Sequence, residues 1–467
     1  MKKIALVVTL GGLLFGVDTG VINGAIPYMA AKQQLDLTPA EEGLVTSGIT
    51  LGAAIGALVA GKLADRYGRK RSLIGLALVF FLGTLLCSVA PNAILMIIFR
   101  FLLGLAVGGA SVIVPTYLAE IATASLRGRL VTQNELMITG GQLLAFTVNA
   151  LLGTFFPHVA SIWRYMIAFG MVPSVMLFLG MSLVPESPRW LVMKGKIRPA
   201  LAVLGNIRPS EQQSRHEVQG VREALQRNRD VQQASLRDLR HPWIRRLVLI
   251  GIGLGIVQQF VGINIMMYYG TSILMQVGFG HQAALIANIG NGLTSFVATA
   301  VGMRLMYTVH RRSMLVAGIC GTAGSMAVIT LAMLFFRHTA LLPYLVIAAT
   351  MCFLAFFQSS VSPTTWVLLS EIFPQSLRGL GMGIATFCLW LANFVVGFTF
   401  PIMLAHWGGI GTFAFFIGCN VLALLFALSF VPETQGKSLE QIQLELRGTN
   451  HHRHQHFTHY QSPRWQN

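Results

Sequence analysis

Apolar residues in this chain come in long runs, each of about the twenty residues that a helix needs to cross the roughly 30 Å hydrocarbon core of a bilayer. Twelve are legible, at 4–27, 43–63, 72–90, 93–119, 136–157, 163–184, 247–275, 283–308, 314–336, 341–370, 380–404 and 409–431. Backbone in lipid must pair its own polar groups, so each run is expected to be a helix. The polar stretch 185–246 divides the runs six and six. The expected fold is an all-α membrane protein of twelve transmembrane helices in two pseudo-symmetric six-helix bundles. Its parts are a first bundle at 1–184, a linker with short helices at 185–246 (one around 211–229), a second bundle at 247–431 and a tail at 432–467.

Composition agrees: 54% of residues are hydrophobic and 11% charged, against about 25% charged in soluble domains. The net charge of +17 raises the question of a nucleic-acid partner. Its distribution answers against one. Lys62, Arg66, Arg69, Lys70, Arg71, Arg127, Arg129, Arg311, Arg312 and Arg378 fall, with the 185–246 segment, on alternate loops, and the opposite loops hold little beyond Lys32, Arg164 and Arg337. That is the positive-inside asymmetry, which places both termini and the linker in the cytoplasm and the chain in the plasma membrane. Lys2–Lys3 before an apolar run imitates a signal peptide, but the run is too long and holds Asp18, so it is expected to stay as the first helix. The five cysteines all lie in apolar runs, without the spacing of a disulfide framework or metal site. No P-loop, metal-ligand helix motif or nucleophile elbow is present, so no enzyme activity or cofactor is expected. Five of the twelve histidines crowd the tail, which reads as a disordered extension.

The two halves carry an internal duplication. YLAEIATASLRGR at 117–129 and LLSEIFPQSLRGL at 368–380 both place a glutamate seven residues before Arg-Gly: Glu120 with Arg127, Glu371 with Arg378. PESPRWL at 185–191 is echoed by PETQGKS at 432–438. GKLADRYGRKR at 61–71 adds Asp65, Arg66 and Arg69, with Gly68 permitting a tight turn. Together these acids and bases could lock the inner mouth through ion pairs that break on opening. Glycines four apart (Gly12, Gly16, Gly20, Gly24; Gly48, Gly52, Gly56; Gly104, Gly108) let backbones approach closely. Plain packing accounts for most of them, and such smooth faces would also let two bundles rock.

Asp18 has no charged residue within ten positions on either side. An ionisable group in lipid costs about 2.5–3.5 kcal/mol on insertion scales, and is a functional candidate by default. About 14 residues from its entry point, Asp18 lies roughly 21 Å in. Arg100, entering from the opposite side, lies about 10 Å deep, so the two reach similar levels. The pair reads either as a proton-coupling site, where Arg100 holds the carboxylate ionised until the two separate, or as a static ion pair. Polar uncharged residues indicate the cargo: Thr139, Gln142, Phe146 and Asn149 share a face of the fifth helix, and Gly262 interrupts the seventh between Gln258–Gln259 and Asn264. Asn288, Asn291, Trp366, Trp390 and Asn393 add amides and aromatics. Amides that donate and accept suit hydroxyls, and no dense Arg/Lys cluster suggests phosphate.

Taken together, FGVDTGVING, GKLADRYGRKR, RFLLGLAVGGASVIVPTYLAE, PESPRWL, QQFVGIN, SEIFPQSLRG and PETQGKSLE resemble the sugar porter family of the major facilitator superfamily, over about 4–445. The resemblance implies alternating access by two rocking bundles, with a neutral sugar or polyol and protons as partners and a monomer as the working unit. It implies proton coupling at Asp18 and Arg100, and sugar contacts at Gln142, Gln258, Gln259, Asn264, Tyr268 and Trp366, with Phe15, Trp390 and Asn393 lining the same cavity. Facilitative members usually carry an amide at the Asp18 position, so symport is favoured; an uncoupled facilitator and a non-transporting sensor are the alternatives. The chain departs from the pattern at Val17, at Leu389, and at MRLMYTVHRR (303–312), where Tyr307 and His310 alter the second-half gate motif. VPTYLAE and TQNELMITGGQLLAFTVN look most like inositol-type members.

Overall fold

The computed structural model describes residues 2–123, 127–208, 210–230, 236–373 and 377–434. All its regular elements are helical. The first bundle comprises α1 (Lys2–Met29), α2 (Pro39–Tyr67), α3 (Arg69–Ser88), α4 (Ala93–Ile121), α5 (Arg127–Phe155) and a sixth crossing split into α6 (Ile162–Ala168) and α7 (Met171–Leu183). The linker folds into α8 (Pro188–Met193), α9 (Ile197–Ile207) and α10 (Glu211–Asp230), the last matching the helix expected there. The second bundle comprises α11 (Pro242–Phe260) and α12 (Ile263–Gln276), which together make one crossing, then α13 (His281–Thr308) and α14 (Arg311–Phe335). It continues through α15 (Leu342–Phe356) and α16 (Ser362–Ile372), which make another, to α17 (Arg378–Phe430).

Local chemistry explains the ends and breaks. Thr38 accepts from the Glu41 amide while Glu41 reaches back to Thr38, a capping box with Pro39 at the first helical position, so α2 starts before its apolar run does. Asn92 caps α4 by accepting from the Leu95 amide. The turn between α2 and α3 puts Gly68 at φ 101°, and a side chain there would collide with Glu186. Gly262, at φ 100°, separates α11 from α12, as its place between the polar residues suggests. A π-helical turn, Phe357–Val361, joins α15 to α16. The eleventh and twelfth crossings differ from the expected separate runs: they form one helical stretch, bent at Gly408 (φ 67°, ψ 179°).

The glycine rows pack within the first bundle. A methyl on Gly16 would stand 1.9 Å from the Ile138 carbonyl oxygen, one on Gly52 2.1 Å from that of Phe101, and one on Gly108 2.0 Å from that of Ala53. They therefore fasten α1 to α5 and α2 to α4, and do not form sliding faces between bundles.

Between bundles the packing is unequal. The end bearing the linker is called here the linker end, and the opposite one the far end. Toward the far end, Ile22, Ile26, Val45, Met96 and Phe146 of the first bundle belong to one buried core with Met266, Tyr269, Leu285 and Phe400 of the second. Toward the linker end, Leu14, Ile49, Leu73, Ile113 and Met181 form a separate core, which the second bundle meets at Leu389 and Trp390, with Trp366 and Phe387 partly buried beside them.

Candidate functional site: a buried ion pair beside unpaired amides

Asp18, on α1, meets Arg100, on α4, with 2.6 Å between Oδ1 and Nη1. Asp18 is 5% and Arg100 1% exposed. Arg100 Nε also donates to the Val45 carbonyl of α2, at 3.1 Å. One guanidinium thus ties three helices of the first bundle, and its Nη2 has no partner. A buried pair of this kind is costly to break from one side, by about 3–5 kcal/mol, because the other charge is left uncompensated. Neutralising Asp18 by a proton is therefore a change that the surrounding helices feel.

Gln142 lies against the same turn of α1: its backbone amide nitrogen would stand 3.1 Å from a methyl on Gly16, and its carbonyl oxygen 3.0 Å from one on Gly20. Its side-chain Oε1 is buried and unpaired. Across the interface, Gln258 and Gln259 end α11 and Asn264 begins α12, and the backbone break at Gly262 brings them round one corner. Asn264 Nδ2 donates to Gln259 Oε1, while Gln258 Oε1 has no partner. Tyr268, one turn further along α12, is hydrogen-bonded to Asn393 of α17. Asn393 Oδ1 and Trp390 Nε1 are buried and unpaired. The Phe15 and Trp390 rings meet edge-on across the two bundles, 5.8 Å between centroids. Trp366, on α16, is partly buried against both cores. Unpaired buried amides and an indole N–H are expensive in a closed protein. Gathered here beside aromatic faces, they are groups able to exchange hydrogen bonds with hydroxyls.

Other polar residues of these helices are used in packing. Asn149 donates to the Gly20 carbonyl at 2.8 Å and so fastens α5 to α1. Val17 packs with Val21 and Ala145, and Leu389 sits against Gly255 of α11.

At the linker end the expected acids and bases come together in different pairs. Arg69 binds Glu120 at 2.8 Å and Asp65 at 3.0 Å. Glu120 also accepts from Ser187 at 2.5 Å, and Glu186 accepts from the amides of Arg69 and Lys70. Glu120 is therefore held by Arg69; the side chain of Arg127, its expected partner, lies outside the described residues. In the second bundle, Glu371 accepts from Thr434 at 2.5 Å and faces Arg311 at 4.0 Å, in place of Arg378. Glu433 accepts from the amides of Arg311 and Arg312. Arg66 is exposed, with its guanidinium 5.3 Å from the Tyr67 ring centroid. Asp65 pairs with a basic residue of its own bundle, as expected, whereas Glu371 faces Arg311 of a neighbouring helix and not Arg378, seven residues on. The PES and PET echoes were the available signal for Ser187 and Thr434. His310, at φ −57°, opens α14 without the positive φ of Gly68.

Asn23 is a further polar residue that its apolar surroundings did not single out. It joins the bundles near the far end: its Nδ2 donates to the Met267 carbonyl at 2.6 Å, and its Oδ1 accepts from the Thr271 amide at 3.0 Å and hydroxyl at 2.6 Å.

Twelve apolar crossings in two helical bundles, with unpaired buried amides where the bundles meet and a buried ion pair beside them, are the architecture of a membrane transporter. The chain belongs to the family described as Sugar (and other) transporter, whose model matches residues 4–446. It is 52% identical to the putative metabolite transport protein YfiG of Bacillus subtilis strain 168, over 96% of this chain and 92% of that one. It is 50% identical to the major myo-inositol transporter IolT of the same organism, over 97% and 95%. Among solved structures, the xylose transporter XylE from E. coli in a partially occluded inward-open conformation matches with TM-score 0.81 at 31% identity, over 93% of this chain and 99% of that one. XylE described as a proton:xylose symporter, bound to 6-bromo-6-deoxy-D-glucose, matches with TM-score 0.76 at 30% identity, over 95% and 98%. The chain is a multi-pass membrane transporter of the sugar porter type, and its relatives are carriers, not enzymes.

Proposed function

We propose that the chain imports a neutral sugar or polyol together with protons by alternating access, with myo-inositol the leading substrate. A single chain suffices, seated in the cytoplasmic membrane with the linker end and both termini facing the cytoplasm. The buried Asp18–Arg100 pair, 2.6 Å apart beside Gln142, carries the coupling half of this reading. With Asp18 ionised, the pair pins α1 to α4 and α2. A proton arriving from outside neutralises it and frees α1 to move with the cargo; release to the cytoplasm restores it. The substrate half rests on the unpaired oxygens of Gln142, Gln258 and Asn393, the Trp390 indole and the Asn264–Gln259 corner. Gln258, Gln259, Asn264, Tyr268, Trp366, Trp390 and Asn393 hold the cargo from the second bundle, and Gln142 and Phe15 from the first. Half identity to a myo-inositol transporter selects the first compound to try. With the joined core at the far end, the conformation is inward-facing, and the clusters of Asp65, Arg69 and Glu120, and of Arg311 and Glu371, belong to a cytoplasmic gate that separates from its opposite half.

The test is uptake of labelled myo-inositol into proteoliposomes under an imposed proton gradient. Concentrative uptake that a protonophore abolishes is expected. Uptake that only equilibrates, with or without the gradient, would leave an uncoupled facilitator, and absence of counterflow for every sugar and polyol tried would sink the carrier reading.

A further inference from the structure

A one-way chain of hydrogen bonds runs from the site to the far-end seam between the bundles. Asn291 Nδ2 donates to Asn288 Oδ1 at 3.0 Å, and Asn288 Nδ2 donates to Thr271 Oγ1 at 2.9 Å. The Thr271 hydroxyl donates to Asn23 Oδ1 at 2.6 Å, and Asn23 Nδ2 donates to the Met267 carbonyl at 2.6 Å. All four side chains are buried. Gly270 makes the room: a methyl there would stand 2.7 Å from Asn288 Oδ1 and 3.0 Å from Asn23 Nδ2. Every donor points the same way, so each bond polarises the next. The chain lacks a donor at one place, its head, where Asn291 Oδ1 is buried with no partner.

Two contacts place that head near the candidate sugar-contact residues. The Asn288–Thr271 bond fixes the antiparallel register of α13 on α12. Three residues, or about 4.5 Å, further toward the linker end, Asn291 is level with Tyr268. From the other bundle, α5 meets α13 where a methyl on Gly292 would stand 2.9 Å from Leu143 Cα. Gln142 and Asn291 are the next residues on either side, and both carry an unpaired buried oxygen.

We propose that Asn291 is a substrate contact, accepting a hydroxyl of the neutral polyol or sugar, and that Asn288 and Thr271 relay its occupancy to Asn23 as a latch on the external mouth. The proposal rests on the polyol or sugar reading of the site. A substrate hydroxyl supplies the donor missing at the head. With its oxygen engaged, the Asn291 amide keeps its NH2 toward Asn288, which keeps Thr271 aimed across the interface at Asn23. Occupancy thereby favours external closure without a direct contact between cargo and latch.

The experiment uses the full-length protein, made cysteine-less apart from Ile26→Cys. Position 26 is buried, one turn outside Asn23, and its labelling by a membrane-impermeant maleimide reads opening of the mouth in proteoliposomes. With myo-inositol as probe, labelling of the parent should fall at least threefold. In Asn291→Ala, the KM for counterflow should rise about tenfold, and labelling should not fall even at saturating probe. Asn291→Ser, which cannot reach Asn288, supplies the same comparison should alanine misfold. Asn23→Ala should label at a high rate with or without probe. A parent-like fall in labelling for both Asn291 variants overturns the relay, and an unchanged KM overturns the contact. The Asn23→Ala arm needs no substrate, so if no polyol or sugar is transported, the carrier reading falls while unchanged labelling in that variant still overturns the latch.

Discussion

Arg311 lies 4.0 Å from Glu371, whereas Arg69, its counterpart in the first bundle, lies 2.8 Å from Glu120. Tyr307, exposed, stands where the first bundle has Asp65, so Arg69 has two carboxylates and Arg311 faces one at longer range. The repeated motif has diverged into a tight cluster and a loose one.

Glu120→Gln leaves a buried guanidinium short of a charge partner, a loss of up to about 3 kcal/mol. Glu371→Gln, at the longer and partly exposed pair, costs less than about 1 kcal/mol. Thermal unfolding of the purified variants should show a clear drop in Tm for the first and little for the second; equal drops would refute the asymmetry.

The proposed proton coupling would give transport a direction with pH. A carboxylate that must be protonated from outside loads less often as the external pH rises. Concentrative uptake should therefore decline from acidic to alkaline external medium. Asp18→Asn should abolish accumulation, keep counterflow, and show a flat pH profile, all measurable in one set of vesicles.

Removing one amide from the site should cost cargo affinity more than fold. Gln258→Leu loses an oxygen that no protein group satisfies. A buried hydrogen bond of this kind is worth about 1–1.5 kcal/mol, so KM should rise about tenfold with Tm nearly unchanged.

Glycines separate by what surrounds them. Gly16→Ala forces a methyl to 1.9 Å from the Ile138 carbonyl oxygen, while Gly324→Ala meets nothing within 4 Å. The first should accumulate poorly or unfold several degrees early, and the second should behave as the parent, by fluorescence-detected size-exclusion chromatography.

At Gly262 the constraint is conformational. Its φ of 100° costs an alanine about 1–2 kcal/mol, and the added methyl would reach 2.4 Å from Met326 Cε. Gly262→Ala should slow counterflow by pulling Gln258 and Asn264 out of register; an unchanged maximal rate would argue against that corner.

The hydrophobic runs announced the crossings because lipid imposes one demand, internal pairing of the backbone, on every helix. Asp18 was legible as an anomaly for the same reason, and depth alone brought Arg100 to its level. What escaped the sequence depends on which helices become neighbours. Glu120 pairs with Arg69 and Glu371 faces Arg311 through contacts between helices, invisible to spacing along one. The π turn at Phe357–Val361 carries no distinct residue signature. Asn23 looked like any small polar residue until the second bundle packed on it, and Asn149, of the same type, turned out to fasten two helices.

The ion pair and the amides differ in ownership. Asp18, Arg100 and the Val45 carbonyl all belong to the first bundle, whereas Gln258, Gln259, Asn264, Tyr268, Trp366, Trp390 and Asn393 belong to the second. On the proposed reading, the coupling pair lies wholly in the first bundle, while the cargo contacts lie mostly in the second, with Gln142 and Phe15 as the first bundle's share. Under that proposal, descent with modification could retune what is carried through the second bundle while the driving pair stays fixed, and an amide at position 18 would leave a passive carrier with the same menu.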